Sequence, residues 1–321
     1  MIAKEGRAVI AIEEPELFLH PLAQGQFYRL LREMAEPDQG EPIQILYATH
    51  SGNLLDLEHF DDVCIVRKTV VDGDWTTTVK QGSYTQLLRT LQEWGVDGAT
   101  ADSIRARLKA TFDPSRTAGL FADTVLLVEG PTEELALPTY AQTAGIDLDA
   151  LNIAVVSAGG ETTIPTLLNV FQQLEIPCYV LFDGDAHQPE DHAKAIDVAR
   201  ACGVTIPGPP ADVIGETTAV WERDFEHSLR REVADYDDLV VAARAELGKI
   251  GKPVAARHCA LALAERGEVP PSVQAVIEQV VALRQAAVPE HPDGPDPGLT
   301  EYLPADDLLI PPAVEDDDTP F

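Results

Sequence analysis

The sequence has 321 residues, of which 45% are hydrophobic and 24% charged, and its formal net charge is −31 at pH 7. This length is enough to bury the cores of two domains, whereas the longest apolar runs have only strand length and fall well short of the ~20 residues of a membrane-spanning helix. The excess of negative charge repels nucleic acid and argues against a protein that coats DNA through bulk electrostatics. Because no signal-type apolar segment follows the charged first residues, we expect a cytoplasmic protein without a membrane partner.

The pattern of apolar residues divides the chain into successive regions. Residues 1–80 alternate strands with helices, residues 81–120 have the pattern of a helical connector, and residues 121–205 again alternate strands and helices. Residues 206–288 are expected to be mainly helical. The last stretch, 289–321, holds ten acidic residues, eight prolines and no Lys or Arg, a composition typical of a tail without a packed core.

The predicted elements indicate an α/β fold, because strands that alternate with helices of about ten residues form parallel sheets with right-handed crossovers. The predicted strands are Ala8–Ile12, Gln44–Ala48, Val63–Lys68, Thr76–Lys80, Val125–Val128, Ile153–Ser157 and Cys178–Phe182. The predicted helices are Leu22–Ala35, Leu54–His59, Tyr84–Trp94, Ala101–Thr111, Glu133–Thr143, Ile164–Leu174, Asp191–Cys202, Arg257–Arg266 and Ser272–Ala287.

A first group of candidate residues follows two strands of the N-terminal region. Residues 8–16 read AVIAIEEPE, so that the strand ends in the adjacent carboxylates Glu13 and Glu14. Successive side chains of a strand face opposite ways, which allows one carboxylate to hold a magnesium shell while the other polarises a water. Residues 45–50 read ILYATH and end in His50, which can contact a γ-phosphate or orient that water.

A second group of carboxylates follows two later strands. Residues 125–134 read VLLVEGPTEE, with Glu129 at the strand end and Glu133 in the first helical turn; residues 178–186 read CYVLFDGDA, with Asp183 and Asp185 after the strand. Ligand sites of open parallel sheets lie at these strand ends. Four converging carboxylates repel each other unless cations bind, and all-oxygen ligands favour Mg²⁺ or Mn²⁺ over Zn²⁺. Two such ions can activate a water and stabilise the leaving oxygen in phosphodiester cleavage.

The combination of a glutamate with a DxD motif about 54 residues later resembles the Toprim domain of topoisomerases, primases and OLD (overcoming lysogenization defect) nucleases. The turn of residues 157–160, SAGG, resembles the glycine-rich turn of OLD-type Toprim domains, although Glu161 replaces their usual lysine. The WERDFE segment resembles the acidic segment that supplies a further metal ligand, here Glu226 or alternatively Asp224. Gly251-Lys252-Pro253 resembles the Lys-Pro that places a lysine near the scissile phosphate.

Residues 8–68 resemble the back half of the ABC-type ATPase head that is fused to OLD nucleases. Glu13 and Glu14 match the Walker B pair, and Thr49-His50-Ser51 match the switch histidine segment. The sequence contains no GxxxxGK[ST] motif, so the resemblance implies a P-loop upstream of Met1 and a longer protein. On this basis we expect ATP to bind only together with that P-loop, and we expect no ATPase activity from this chain alone.

Over residues 8–288 the resemblance implies a partial ABC-type ATPase lobe (1–80), a connector (81–120) and a Toprim domain with a helical region (121–288). It implies a metal-dependent endonuclease that acts on DNA and dimerises through the ATPase part. The residues implied to hold two Mg²⁺ or Mn²⁺ ions are Glu129, Glu133, Asp183, Asp185 and Glu226. Lys252 is implied to stabilise the transition state, with a water as nucleophile.

The alternative hypothesis is a non-catalytic ATP-sensing or scaffold subunit of a DNA repair or phage-defence complex, which would bind no divalent ions at the carboxylates. The histidines show no metal-ligand spacing. We also expect Lys194 to lie on a helix that faces solvent, so that Lys194→Ala changes little.

Overall fold

The computed structural model describes residues 9–36, 42–71, 74–96, 98–205 and 212–287. The acidic tail expected at 289–321 lies outside these ranges. In the part of the chain that is described, no helix is both long enough and apolar enough to cross a bilayer.

The N-terminal lobe consists of a parallel strand pair and an antiparallel hairpin. Strand β1 (Val9–Glu13) pairs in parallel with β2 (Gln44–Ala48), and helix α1 (Pro21–Ala35) connects them. Strands β3 (Cys64–Val71) and β4 (Asp74–Gln81) form the hairpin. The parallel register aligns Glu13 with Ala48, so the segments that follow β1 and β2 lie side by side.

Three helices connect this lobe to the rest of the chain: α2 (Tyr84–Glu93), α3 (Ala101–Thr111) and the short α4 (Pro114–Thr117). Thr100 and Ser103 form a capping box at the start of α3, which satisfies backbone N–H groups that the first helical turn leaves free. The lobe packs closely on α4, because a Cβ atom added to Gly52 would collide with Thr117 Oγ1.

The central sheet has the strand order β6-β5-β7-β9-β8 within the described residues. All neighbouring strands are parallel except the β8–β9 pair. The strands are β5 (Thr124–Val128), β6 (Ile153–Ser157), β7 (Cys178–Asp183), β8 (Val213–Ile214) and β9 (Thr218–Trp221). The helices that accompany them are α5 (Pro131–Thr143), α6 (Ile164–Gln173), α7 (Pro189–Ala201), α8 (Phe225–Glu232), α9 (Tyr236–Leu247), α10 (Lys252–Glu265) and α11 (Pro271–Ala287).

Helices cover both faces of this sheet. Strand β5 is buried along its whole length, and its alternating side chains enter two different cores. Val125 and Leu127 belong to a core shared with α2, α3, α6 and α7. Leu126 and Val128 belong to a second core with α5, α8, α10 and α11. The carboxyl ends of β6, β5, β7 and β9 therefore meet at one edge of the sheet, framed by helices from either side.

Residues 206–288 are mainly helical where the structure describes them, as expected, but the stretch before α8 also forms the strands β8 and β9, which were not predicted. Strand β9 (Thr218–Trp221) is fully buried and pairs in parallel with β7, so that Asp183 aligns with Trp221. The four residues TAVW are too short a segment to show a period, and they form a strand because they are buried between β7 and β8. This added strand places the WERDFE segment beside the DxD turn.

Candidate metal centre

The carboxylates predicted from the sequence lie at the carboxyl ends of adjacent strands. Glu129 directly follows β5, Glu133 lies in the first turn of α5, and Asp183 is the last residue of β7. The backbone N–H of Asp183 donates a hydrogen bond to Glu129 Oε2 over 3.0 Å, which joins the ends of β5 and β7. The Glu129 carboxylate therefore lies beside the last residue of β7.

These acids are buried close to one another, and their pKa values are raised. Burial raises the pKa of Glu133, whose residue is only 5% exposed, to about 8, and repulsion from Glu129 and Glu226 adds to the shift. Burial, followed by repulsion from Glu161 and Asp185, raises the pKa of Glu129 to about 7. The pKa of Asp183 is raised well above its usual range by burial and then by Glu133 and Glu129. Without a cation, these carboxyl groups therefore tend to hold protons, and a bound cation would displace those protons.

The Asp183-Gly184-Asp185 turn is tied to the end of β9. Gly184 N–H donates to the backbone oxygen of Trp221 over 2.7 Å, and a Cβ on Gly184 would lie 2.5 Å from that oxygen, so only glycine fits. Asp185 adopts the left-handed region with φ +47°, which is unfavourable for a residue other than glycine. Nδ1 of His192 lies 2.6 Å from the Gly184 oxygen. The role of His192 was not predicted from the sequence. This histidine lies near the start of α7 and contacts the backbone of the Asp183-Gly184-Asp185 segment.

The acidic segment after β9 contains two different kinds of carboxylate. Asp224 is the N-cap of α8, and its Oδ1 accepts a hydrogen bond from the N–H of His227 over 2.8 Å. Oε1 of Glu226 is buried and accepts no hydrogen bond from the described residues, and Nζ of Lys252 lies 3.8 Å from it. The cap occupies an oxygen of Asp224 and leaves Glu226 Oε1 available, which supports Glu226 over Asp224 as the additional ligand.

A divalent cation fits the chemistry of these donors. Within the described ranges no three His, Cys, Asp or Glu side chains are already arranged around one ion position. Two of the carboxylate oxygens instead accept backbone hydrogen bonds. Glu129 Oε2 accepts the N–H of Asp183, and Asp183 Oδ1 accepts the N–H of Phe225 at 3.1 Å. The donors are all oxygens, their like charges repel, and Glu226 Oε1 accepts no hydrogen bond from the described residues. Hard cations such as Mg²⁺ match such a set.

Lys194 lies on the solvent-facing side of α7, as expected, and it also pairs with two carboxylates. Its side chain is 49% exposed, and Nζ lies 2.7 Å from Asp191 Oδ1 and 3.3 Å from Glu161 Oε1. Glu161 follows Gly160, whose N–H donates to the backbone oxygen of Glu129 over 2.9 Å. Lys194 therefore faces solvent at the border of the carboxylate centre.

The glycine-rich turn after β6 binds an arginine from the connector. Gly159 and Gly160 have φ values of +76° and +136°, which glycine adopts without strain. Arg116 Nε donates to the backbone oxygen of Ser157 over 2.7 Å, and Arg116 Nη1 donates to that of Thr111 over 2.8 Å. A Cβ on Gly159 would lie 2.6 Å from Arg116 Nη2. Arg116 thus links α4 to this turn, a role that the sequence alone did not indicate.

The first group of candidate residues also comes together at adjacent strand ends. His50 Nε2 lies 3.9 Å from Glu14 Oε1, and the His50 side chain is 82% exposed. Glu13 ends β1 on the exposed side. The link between the two segments is Glu16, which sequence reasoning did not single out: it accepts the backbone N–H of His50 over 2.6 Å and the hydroxyl of Thr49 over 2.8 Å.

Comparison with known families assigns both parts of the chain. Residues 120–185 match the family model described as overcoming lysogenization defect protein-like, TOPRIM domain. Residues 2–56 match the model described as AAA domain, putative AbiEii toxin, Type IV TA system. An acidic parallel sheet of the Toprim class thus follows an AAA-type segment. The Toprim match is to an OLD-like model, as the resemblance of the motifs indicated.

Relatives of known name agree with this assignment over part of their length. The OLD nuclease of Thermus scotoductus is 37% identical over 186 residues, which are 57% of this chain and 32% of that protein. The Old nuclease of Escherichia phage P2 is 26% identical over 185 residues, again 57% of this chain and 28% of that protein. The chain spans about a third of the length of these relatives. The solved C-terminal region of the Xanthomonas campestris pv. campestris OLD protein aligns at 21% identity with a TM-score of 0.39, covering 53% of this chain and 96% of that one.

Proposed function

We propose that this chain is a metal-dependent DNA endonuclease whose Toprim centre hydrolyses phosphodiester bonds. The observation that carries the proposal is the convergence of buried Glu133 with half-buried Glu129 and Asp183 near the ends of adjacent strands, with a raised pKa for each. Groups with strongly perturbed pKa values that share one crevice are typical of functional sites. The names of the relatives, which describe nucleases, support the same activity.

The residues that would hold two Mg²⁺ or Mn²⁺ ions are Glu129, Glu133, Asp183, Asp185 and Glu226. Such ions, when bound, lower the pKa of water and offset the negative charge that develops on the phosphate oxygens. The chain itself positions these ligands through backbone contacts. Gly184 and His192 fix the turn that carries Asp185, and the Asp224 cap fixes the helical turn that carries Glu226.

Lys252 is the residue that we assign to the transition state. Its side chain is 74% exposed, and Nζ lies near Glu226 at 3.8 Å, so it is free to reach a phosphate at the mouth of the centre. An ammonium group that meets charge only as it develops on the phosphate lowers the barrier without tightening substrate binding.

In the N-terminal lobe, we propose that Glu13, Glu14 and His50 form part of an ATP site that a P-loop completes. The 3.9 Å approach of His50 to Glu14 supports this assignment. The lobe also exposes apolar side chains, with Phe18 fully exposed and Leu46 68% exposed. An apolar surface of this kind supports the association of two copies through the lobe.

Purified protein is expected to nick or linearise supercoiled plasmid in the presence of Mg²⁺ or Mn²⁺, and EDTA is expected to stop the reaction. The reason is that the repelling acids need cations before they can bind a phosphate. Gel electrophoresis of the plasmid measures the cleavage, and calorimetric titration with Mn²⁺ measures the binding of ions. Absence of both cleavage and ion binding would favour a non-catalytic ATP-sensing or scaffold subunit.

Replacement of Lys252 by alanine is expected to slow plasmid cleavage by about a hundredfold while Mn²⁺ affinity stays nearly unchanged. Loss of one group that stabilises charge in the transition state has an effect of this order. Lys109→Ala provides the control. Lys109 lies on the connector helix α3, is 68% exposed and, like Lys252, is paired with a carboxylate, here that of Glu58. Equal rates for Lys252→Ala and the wild-type protein would remove Lys252 from the catalytic assignment.

A further inference from the structure

Two lysines approach the carboxylate edge of the sheet from opposite faces. Lys252 begins α10, whose residue Ala256 packs in the core on one face of the sheet. Lys194 belongs to α7, whose neighbouring residue Ala195 packs in the core on the other face. A phosphate chain that crosses the edge between α7 and α10 would therefore pass between two ammonium groups.

The contacts of Lys194 hold its ammonium group at the rim of the centre. Nζ lies between Glu161 Oε1 and Asp191 Oδ1, at 3.3 and 2.7 Å. Both partners are less exposed than the lysine, at 12% and 34% against 49%. The lysine side chain is therefore the most exposed of the three, so that a second anion can approach it from solvent.

Because the Lys194 side chain is half exposed, little free energy is needed for its ammonium group to leave Glu161 and Asp191 and bind another anion. Exposed ion pairs contribute little to stability, and a lysine has a flexible four-carbon stem that carries a compact charge with three donors. The net charge of −31 repels DNA as a whole, so local cations at the site have to provide the attraction.

We propose that Lys194 is a second phosphate-binding lysine of the nuclease centre, opposite Lys252. Glu161 and Asp191 hold its ammonium group in place in the free chain, and a DNA phosphate takes their place as its partner when DNA binds. This inference rests on the proposed function, and it assigns to Lys194 a role in binding the substrate backbone.

The test is DNA affinity as a function of salt, measured by fluorescence anisotropy with a labelled duplex in Ca²⁺. Lys194→Ala is expected to weaken binding about fivefold at moderate salt and to make the slope of log affinity against log salt shallower by about one. Lys194→Arg is expected to retain most of the affinity. Lys80→Ala is the matched control, because Lys80 is 40% exposed and pairs with Glu175 at 2.6 Å, ahead of β7.

Substitution of Glu161 distinguishes two roles for Lys194. The lysine either exchanges Glu161 for a DNA phosphate or remains paired with Glu161 when DNA binds. Glu161→Gln is expected to tighten DNA binding more than Glu175→Gln, which removes the same charge beside Lys80. An unchanged salt slope in Lys194→Ala, or a loss of Mn²⁺ affinity in that variant, would overturn the proposal, because either result assigns Lys194 to the structure of the centre. A wild-type chain that binds DNA but cuts none would refute the nuclease activity and still leave the salt slope to decide on Lys194. A wild-type chain that binds no DNA would overturn both.

Discussion

Asp183→Ala is expected to lower the rate of metal-dependent plasmid cleavage by about a thousandfold or more. Asp183 ends the strand at the middle of the site, its N–H binds Glu129 and its Oδ1 accepts the N–H of Phe225. Removal of its carboxylate takes a shared ligand from the proposed ions. Charge stabilisation by such ions is worth several kcal/mol, and about 1.4 kcal/mol corresponds to a factor of ten in rate.

Asp183→Asn provides the matched variant, since an amide oxygen can still accept the Phe225 N–H while the negative charge is lost. We expect both variants to fall far below the wild-type rate, and we expect thermal unfolding to show that Asp183→Asn remains folded. Cleavage that continues at the wild-type rate in Asp183→Ala would identify a contaminating nuclease and contradict the assignment of the centre.

The stability of the metal-free protein is expected to fall as the pH rises from about 5 to about 8. Folded Glu129 and Glu133 have pKa values of about 7 and about 8, against an ordinary value of 4.5. In this window the folded state binds more protons than the unfolded state, so stability decreases with pH. The contribution of the raised pKa values is fully present below about 4.5 and is lost as the pH rises through 7 to 8. Each unit of pKa difference corresponds to about 1.4 kcal/mol, so the two shifts together correspond to several kcal/mol.

Urea unfolding in EDTA at a series of pH values measures this dependence. Glu133→Gln is expected to flatten it, because glutamine has no proton to lose, whereas Glu265→Gln on the exposed end of α10 is expected to leave it unchanged. Mg²⁺ at pH 8 is expected to restore stability in the wild-type protein, since a ligand that binds only the folded state stabilises it. A flat profile for the metal-free wild-type protein would contradict the burial of these acids.

Elements with a strong local signal were predicted closely from the sequence. Gln44–Ala48, Ala101–Thr111 and Ile153–Ser157 have the predicted bounds. Thr100 marks the start of α3 because it can cap the helix, and an uninterrupted apolar run that ends in Glu129 and the Gly130 turn is typical of a strand buried on both faces. The resulting order of strands and helices was enough to place Glu129 and Asp183 at neighbouring strand ends.

Features that depend on contacts between distant segments were beyond the sequence. Strand β9 (Thr218–Trp221) is recognisable only beside β7, and it is β9 that anchors the DxD turn through Gly184. The difference between Asp224 as a cap and Glu226 as a free carboxylate arises from the start of α8. Lys194 could not be distinguished from an ordinary surface lysine, because its partner Glu161 lies on another element.

The position of α4 has a mechanical consequence. On one side Thr117 is packed so tightly against Gly52 that no larger residue fits there, and on the other Arg116 is fastened to the turn beside Glu129. Gly52 lies two residues after His50 in the sequence. The short helix α4 therefore connects the segment that contains His50 to the edge of the central sheet that contains Glu129 and Asp183. Any displacement of the histidine segment must push on that edge or break the hydrogen bond between Arg116 and Ser157.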